Sequence, residues 1–239
     1  MPAANSSASA SSANYGLKAQ LSFAIFALVY IAIMLLCLRQ WHAPHPWSRL
    51  DRFSGGYILL SILWQLGSLR FMRMASRDKE TGRELAGQTF DPELFRWITI
   101  LAVLDLLAFV DYGHWHLCRA LENPALQMFG LVLSLGGCCW LLWTDRFLLA
   151  HFSGGLTNRK IIDRGPYRVV RHPRYLALSI SRIAFALALA SIVAWFLFLF
   201  WMFAILRRIH REEPHLRKIF GPDYEAYAQR TARLIPGIY

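Results

Sequence analysis

Two polar stretches toward the C-terminal end of the sequence contain the residue types best suited to chemistry. The first covers 163–175 and the second covers 211–224, with an apolar segment between them. In the first stretch His172 precedes Pro173, a pair that disfavours helix before the proline and suits a helix start at it. The nearby basic residues are Arg168, Arg171 and Arg174. The free N–H groups of this helix start, together with the arginines, predict a seat for a carboxylate or a phosphate.

The second stretch contains the adjacent carboxylates Glu212 and Glu213, followed by Pro214. We expect Pro214 to end the preceding helix, which places both carboxylates at the unfavourable negative end of its dipole. A ribose, an ammonium group or a neighbouring arginine would compensate for this unfavourable interaction between the carboxylates and the helix dipole. Because adjacent helix positions point about 100° apart, we expect one glutamate to face a pocket and the other to pair with Arg208 or Arg211.

The segment between the two stretches predicts a helical hairpin. Residues 175–206 are apolar except for Arg182 and a Ser-containing turn near Ala190 and Ser191. This run is too long for one membrane crossing, which needs about 20 residues. A tight hairpin would return the chain to the same membrane face, so the two polar stretches should meet in space.

The remaining composition indicates an integral membrane protein. Of the 239 residues 56% are hydrophobic, more than a soluble domain of this size would bury. Four further apolar runs cover 21–38, 55–72, 97–112 and 126–149. The third is short and contains Asp105 and Asp111, so it should be tilted, interfacial or turned toward the bundle interior. We predict an all-α protein of about six transmembrane helices, with the C-terminal hairpin and cytoplasmic amphipathic tail helices at Pro214–Phe220 and Pro222–Thr231.

The basic residues predict the orientation and exclude a nucleic-acid-binding protein. The net charge is +11, but the charges lie in short connections between apolar runs rather than on one soluble face. They concentrate in three connections: Arg73, Arg77, Lys79 and Arg83; Arg159, Lys160, Arg164, Arg168, Arg171 and Arg174; and Arg207, Arg208, Arg211, Arg217 and Lys218. By the positive-inside rule both termini and these connections are cytoplasmic. The cysteines have no metal spacing, so we predict no metal site.

Five short motifs occur in order along the C-terminal half. They are Gly165-Pro-Tyr-Arg, Arg171-His-Pro-Arg-Tyr175-Leu, Arg211-Glu-Glu, Phe220-Gly-Pro-Asp-Tyr224 and Arg233-Leu-Ile-Pro236. Together they resemble the superfamily of isoprenylcysteine carboxyl methyltransferases and phospholipid methyltransferases. The resemblance covers about residues 126–239. It departs from the commonest pattern at Arg174 and Ala177, where a small or apolar residue and a glycine are expected, and this affects the expected width of the pocket mouth.

The resemblance implies a pocket for S-adenosylmethionine on the cytoplasmic side. The cofactor-binding residues that it implies are Gly165, Pro166, Tyr167, Arg171, His172, Tyr175, Leu176, Glu212 and Glu213. The acceptor would be a lipophilic small molecule arriving from the membrane lipids, and no obligate protein partner is inferred. The implied organisation is a disordered leader at 1–19, substrate-side transmembrane helices at 20–125 and a methyltransferase core at 126–239.

Two charged residues inside apolar runs, Arg182 and Asp145, are the catalytic candidates, because an arginine facing lipid is costly. Arg182 either contacts the substrate or forms a structural pair with Asp145. Two other functions remain open: a nicotinamide-dependent membrane reductase, since sterol reductases have a similar Arg-His-Pro-x-Tyr segment, and a non-enzymatic membrane scaffold. Binding of either cofactor discriminates among the three.

Overall fold

The computed structural model describes residues 4–39, 45, 47, 50–75, 92–152 and 161–239, with side chains at 20–39, 45, 47, 50–70, 100–101, 103–148, 150 and 161–239. The helices described are α1 (Ala4–Leu38), α2 (Arg52–Ala75), α3 (Pro92–Val110), α4 (Pro124–Phe152), α5 (Pro166–Val169), α6 (Pro173–Ala188), α7 (Ile192–Phe220) and α8 (Pro222–Arg230). A π-helical turn at Asp111–Trp115 and a 3-10 turn at Arg119–Leu121 lie between α3 and α4. The predicted all-α fold class is confirmed.

Three helical segments of the described chain are long and apolar enough to cross a membrane: Gln20–Leu38, Pro124–Leu148 and Ile192–Phe220. Large apolar side chains on these helices are exposed, for example Leu28 at 68%, Val132 at 61% and Phe196 at 67%. Lipid would cover such side chains at little cost in free energy. The structure thus agrees with an integral membrane protein, while the number of six crossings stays a prediction.

The hairpin is held against α4 by close backbone packing. A Cβ atom placed on Gly130 of α4 would lie 2.6 Å from the amide nitrogen of Ala188 at the end of α6, so only glycine fits this contact. One turn earlier on α4, the Gln127 side-chain amide donates to the carbonyl of Ala188 at 3.2 Å. These contacts fix the position of α6 along α4.

The turn of the hairpin lies where the sequence predicts it, between α6 and α7. Ser191 caps α7, with its Oγ accepting from the amide of Ala194 at 3.3 Å and donating to Asp111 Oδ2 at 2.5 Å. Asp111 also accepts from the amide of Leu117 at 3.0 Å. Asp111 and Asp105 are both buried. Of the three placements predicted for the third apolar run, the structure therefore shows the one turned toward the bundle interior.

Helix α1 begins earlier than predicted. It starts at Ala4 and includes most of the segment 1–19 that we expected to be a disordered leader. Alanine has the highest intrinsic helix propensity, and extending a helix that has already formed avoids the cost of nucleation. The composition of the segment therefore permits helix as well as disorder.

The prediction that Pro214 ends the preceding helix is wrong. Helix α7 continues through Pro214 to Phe220, so the predicted tail helix at Pro214–Phe220 is the last part of α7. An internal proline costs about 3 kcal/mol, so tertiary contacts along α7 must outweigh this cost. Beside Pro214, Glu213 lies 3.8 Å from Arg217 and 3.0 Å from Arg233. The second tail helix forms as α8, although Thr231 lies just beyond its end.

Several residues used to predict the orientation lie outside the described part of the chain. They are Arg77, Lys79, Arg83, Arg159 and Lys160. The side chain of Arg73 lies outside it as well. The cytoplasmic placement of the basic connections therefore stays a prediction.

Candidate functional site

The start of α6 brings the two polar stretches together. His172 occupies the N-cap position and α6 begins at Pro173, as predicted. The imidazole is buried, with 8% of the residue exposed. Its Nδ1 lies 3.9 Å from Oε2 of Glu212, and its Nε2 lies 3.7 Å from Oε1 of Glu213. Both glutamates of α7 therefore approach the same imidazole.

Glu212 lies on the open side of this cluster. Its Oε1 accepts a hydrogen bond from Tyr175 Oη at 2.5 Å and another from Arg208 Nε at 2.8 Å. The Tyr175 ring stacks on His172 with 5.6 Å between ring centroids. The Glu212 side chain is 35% exposed. The prediction that one of the two glutamates pairs with Arg208 is confirmed, and this glutamate is Glu212.

Glu213 lies on the buried side and is only 2% exposed. Three arginines surround its carboxylate: Arg171 at 3.2 Å, Arg233 at 3.0 Å and Arg217 at 3.8 Å. Even so, His172 Nε2 has no hydrogen-bond partner among the described residues, because the 3.7 Å to Glu213 Oε1 is too long for one. Glu213 Oε1 lies 3.2 Å from Nη2 of Arg171 in an ion pair, but it accepts no hydrogen bond from a described residue. A buried polar atom without a partner costs about 1–3 kcal/mol. A polar ligand at this position would remove that cost.

The electrostatic environment keeps His172 neutral. Burial lowers the pKa of the imidazole below its usual value, and the nearby Glu212 and Glu213 carboxylates oppose this shift only in part. A neutral imidazole has one nitrogen that donates and one that accepts. His172 can therefore donate a hydrogen bond to a polar ligand or accept one from it, and it brings no charge to the site.

The C-terminal segment covers the cluster and supplies one of its cations. Backbone amides of Arg171 and His172 donate to the carbonyls of Ala232 and Arg233 at 2.8 and 3.1 Å. This pairing places Arg233 beside Glu213. Sequence reasoning missed Arg233 as a partner of Glu213. The motif that contains Arg233 was visible, but its contact depends on how the tail folds back over α6.

The turn at Gly165 and Pro166 forms as predicted and packs against α4. Gly165 has a φ of 57°, in the left-handed region that favours glycine, and a Cβ there would lie 2.5 Å from the ring of Phe147. Helix α5 begins at Pro166. The carbonyl of Tyr167 accepts from Tyr227 Oη of α8 at 2.7 Å. Burial raises the pKa of the Tyr167 phenol to about 12, so it stays protonated at neutral pH.

Leu176 has a different role from its polar neighbours. Together with Tyr175, it packs against an apolar cluster formed by Ile205, Ile209 and Leu234. This cluster joins α6, α7 and the C-terminal segment beneath the polar residues. Packing against this cluster holds the first turn of α6, and with it the side chains of His172 and Tyr175, in position.

The two catalytic candidates do not pair with each other. Arg182 forms an ion pair with Asp105 of α3, and its Cζ lies 5.1 Å from the ring of Trp201. Asp145 instead lies 3.0 Å from Nε of Arg174. The predicted Arg182–Asp145 pair is therefore wrong. Positions 174 and 182 are about 12 Å apart along a helix, and Arg174 is the one that lies beside the end of α4.

Comparison with known proteins places these residues in a family. Residues 118–223 match the family described as phospholipid methyltransferase. A probable protein-S-isoprenylcysteine O-methyltransferase of Oryza sativa subsp. indica is 39% identical over 137 residues, which cover 52% of this chain and 71% of that protein. Protein-S-isoprenylcysteine O-methyltransferase B of Arabidopsis thaliana is 31% identical over 81 residues, which cover 33% of this chain and 41% of that protein. The nickel-cobalt-cadmium resistance protein NccN of Alcaligenes xylosoxydans xylosoxydans is 23% identical over 148 residues, 59% of this chain and 62% of that protein. The matched region contains His172, Glu212 and Glu213, and the chain belongs to the superfamily of isoprenylcysteine and phospholipid methyltransferases.

Proposed function

We propose that the chain transfers the methyl group of S-adenosylmethionine to a lipophilic acceptor at the cytoplasmic face of a membrane. The observation that carries this proposal is the buried His172 Nε2, which has no hydrogen-bond partner in the described chain and lies 3.7 Å from the ion-paired Oε1 of Glu213. His172 is the N-cap of α6 and Glu213 lies on α7, and both are inside the region that matches the methyltransferase family. A ligand with polar groups fits this position better than an apolar one.

The chemistry of the cluster fits S-adenosylmethionine. The molecule has a carboxylate, an ammonium group, a ribose and a positively charged sulfur. Arg171 and the free amides at the start of α6 suit the carboxylate, and the half-exposed carboxylate of Glu212 suits the ammonium. The proposed lining is the set implied by the motifs: Gly165, Pro166, Tyr167, Arg171, His172, Tyr175, Leu176, Glu212 and Glu213.

The protein's contribution to such a reaction is to bind and to orient. When bound, S-adenosylmethionine supplies an electrophilic methyl group. The aromatic face of Tyr175 can stabilise a nearby cation by about 0.5–2 kcal/mol. Holding the acceptor atom in line at near-attack distance can lower the barrier by up to about 7–11 kcal/mol. Asp145 and Arg182 are proposed to act on the acceptor side rather than on the cofactor.

The proposed arrangement in the membrane follows from the helices and the charges. Helices α2, α3 and α6 would be the further crossings beside the three apolar ones, which gives six. Both termini and the start of α6 would then face the cytoplasm, because the positive-inside rule places the arginine-rich connections of the sequence on that side.

Calorimetry on the purified chain in detergent tests the cofactor assignment. We expect S-adenosylmethionine and its demethylated product to bind with micromolar dissociation constants. Heat of binding with a nicotinamide dinucleotide, and none with either of these two ligands, would contradict the proposal and favour the membrane reductase.

A further inference from the structure

One exposed face runs along the whole of α7, and its character changes partway. Positions 196, 200, 203, 207, 211, 214 and 218 follow one another at intervals of three or four residues, so they share one side of the helix. All seven residues are exposed: Phe196, Phe200, Phe203, Arg207, Arg211, Pro214 and Lys218. We call this side the outer face of α7. It is apolar up to Phe203 and basic from Arg207 onward.

The basic residues of α7 differ in their contacts. Arg208 pairs with Glu212 and Arg217 pairs with Glu225, both at 2.8 Å. The three basic residues of the outer face form no ion pair with any residue of the described chain: Arg207, Arg211 and Lys218. Their positive charges are therefore open to an anion from outside the chain.

The length of α7 places these cations at the level of lipid headgroups. The helix starts at Ile192, after the hairpin turn, and lies within a candidate membrane span. A hydrocarbon core of about 30 Å takes about 20 helical residues, so its boundary would fall near position 212. Arg211 would lie about 2 Å from this boundary and Arg207 about 8 Å inside it, with a long side chain that can extend outward. Lys218 would lie about 9 Å beyond the boundary, at the outer edge of the headgroup layer.

The two halves of the outer face together select a lipid as the occupant. Acyl chains that cover Phe196 and Phe203 belong to molecules whose headgroups must lie beside Arg207 and Arg211. A nucleic acid or a soluble acidic protein would match the basic half but would leave the apolar half uncovered. The charges thus favour a phospholipid whose headgroup has a net negative charge.

The spacing of the two arginines suits a single phosphate. Arg207 and Arg211 are one helical turn apart, and side chains at this spacing have Cβ atoms about 5–6 Å apart. Both guanidinium groups can therefore reach the same phosphate, to which arginine binds through paired hydrogen bonds. In a zwitterionic lipid an ammonium group offsets the phosphate charge, so the attraction is weaker.

We propose that the outer face of α7 binds an anionic phospholipid, with its phosphate between Arg207 and Arg211 and its acyl chains on Phe203 and Phe196. Lys218 adds a longer-range attraction to the same headgroup layer. This binding goes beyond the proposed methyl transfer and does not depend on it, because it requires neither S-adenosylmethionine nor an acceptor.

Native mass spectrometry of the purified chain in detergent tests the preference for an anionic headgroup. The probes are dioleoylphosphatidylglycerol and dioleoylphosphatidylcholine, which have the same acyl chains and differ in net charge. We expect the first lipid to bind at least about ten-fold more tightly than the second. Equal affinity of the parent chain for the two lipids would overturn the proposal.

Matched double variants locate the site. R207Q/R211Q should abolish the preference for the anionic lipid. R164Q/R230Q removes the same charge from two exposed residues outside α7 and should keep the preference. An equal loss in both double variants would mean that the overall positive charge attracts the lipid, and the outer face of α7 would not be the site. Dimers of the parent chain that R207Q/R211Q abolishes, without any lipid preference, would assign this face to a second copy and refute the proposal.

Thermal unfolding in detergent gives a second measurement and checks the fold of the variant. A ligand that binds only the folded chain raises its unfolding midpoint. Phosphatidylglycerol should therefore raise the midpoint of the parent chain more than that of R207Q/R211Q, and an equal rise would contradict the proposal. Without lipid the two chains should unfold at similar temperatures, because the substituted side chains are exposed. A much lower midpoint for R207Q/R211Q without lipid would show that these arginines stabilise the fold itself, which also refutes the proposal.

Discussion

Glu212 and Glu213 are adjacent in sequence but differ in burial, and this predicts very different effects of the same substitution. E213Q removes the charge of a carboxylate that is 2% exposed and surrounded by Arg171, Arg233 and Arg217. Removing one partner of a buried ion pair typically costs about 3–5 kcal/mol, because the other charge stays buried. The side chain of Arg171 is 9% exposed, but those of Arg233 and Arg217 are 26% and 40% exposed. Water can solvate the latter two, so we expect a loss of about 3 kcal/mol, the lower end of that range.

E212Q is the matched control. Glu212 and its partner Arg208 have side chains that are 35% and 43% exposed, and a pair of this kind contributes about 0–1 kcal/mol. In a chain of this size 1 kcal/mol shifts the midpoint of thermal unfolding by about 2–4 °C. We therefore expect E213Q to lower the midpoint in detergent by about 6–12 °C, and E212Q by no more than about 4 °C. A midpoint for E212Q as low as that for E213Q, or lower, would refute the assignment of Glu213 as the buried carboxylate.

Three further predictions follow from the described contacts. H172A should weaken binding of S-adenosylmethionine by about ten- to a hundred-fold in calorimetry, since it removes one strong hydrogen bond, and unchanged affinity would contradict the placement of the site. Burial lowers the pKa of His172. Below about pH 6.5 the unfolded chain therefore binds more protons than the folded chain, so the free energy of unfolding should fall as the pH decreases through that value. H172Q should show a smaller loss of unfolding midpoint between pH 7.5 and 5.5 than the parent chain, and an equal loss would argue against this cause. G130V places a Cβ 2.6 Å from the amide nitrogen of Ala188 and should cost about 1–3 kcal/mol, whereas G136V, with no atom within 4 Å of its Cβ, should be tolerated. Equal unfolding midpoints for these two variants would mean that α4 and α6 are not in close contact at Gly130.

The parts of the site that sequence predicted correctly depend on local signals. The start of α6 at Pro173 follows from the restriction that proline places on His172. The hairpin follows from the length of the apolar run and from the capping residue Ser191. The meeting of His172 with Glu212 and Glu213 needs only this hairpin, so it could be deduced without knowing how the helices pack.

The errors concern contacts that depend on helix rotation and tertiary packing. Asp105, Asp145 and Arg174 were all visible as charged residues, but nothing in the sequence fixes which face of each helix meets which neighbour. Arg182 therefore received the wrong partner. Pro214 is the usual local signal for the end of a helix, but here the helix continues through it to Phe220, which local sequence alone does not predict.

Transfer of label from methyl-tritiated S-adenosylmethionine into an organic extract tests the central claim most directly. The purified chain, reconstituted with membrane lipids, should move the label into the organic phase, and H172A should lose most of this activity while keeping its fold. Label that remains wholly in the aqueous phase with a folded parent chain would contradict the account. Equal transfer by H172A and the parent chain would contradict it as well.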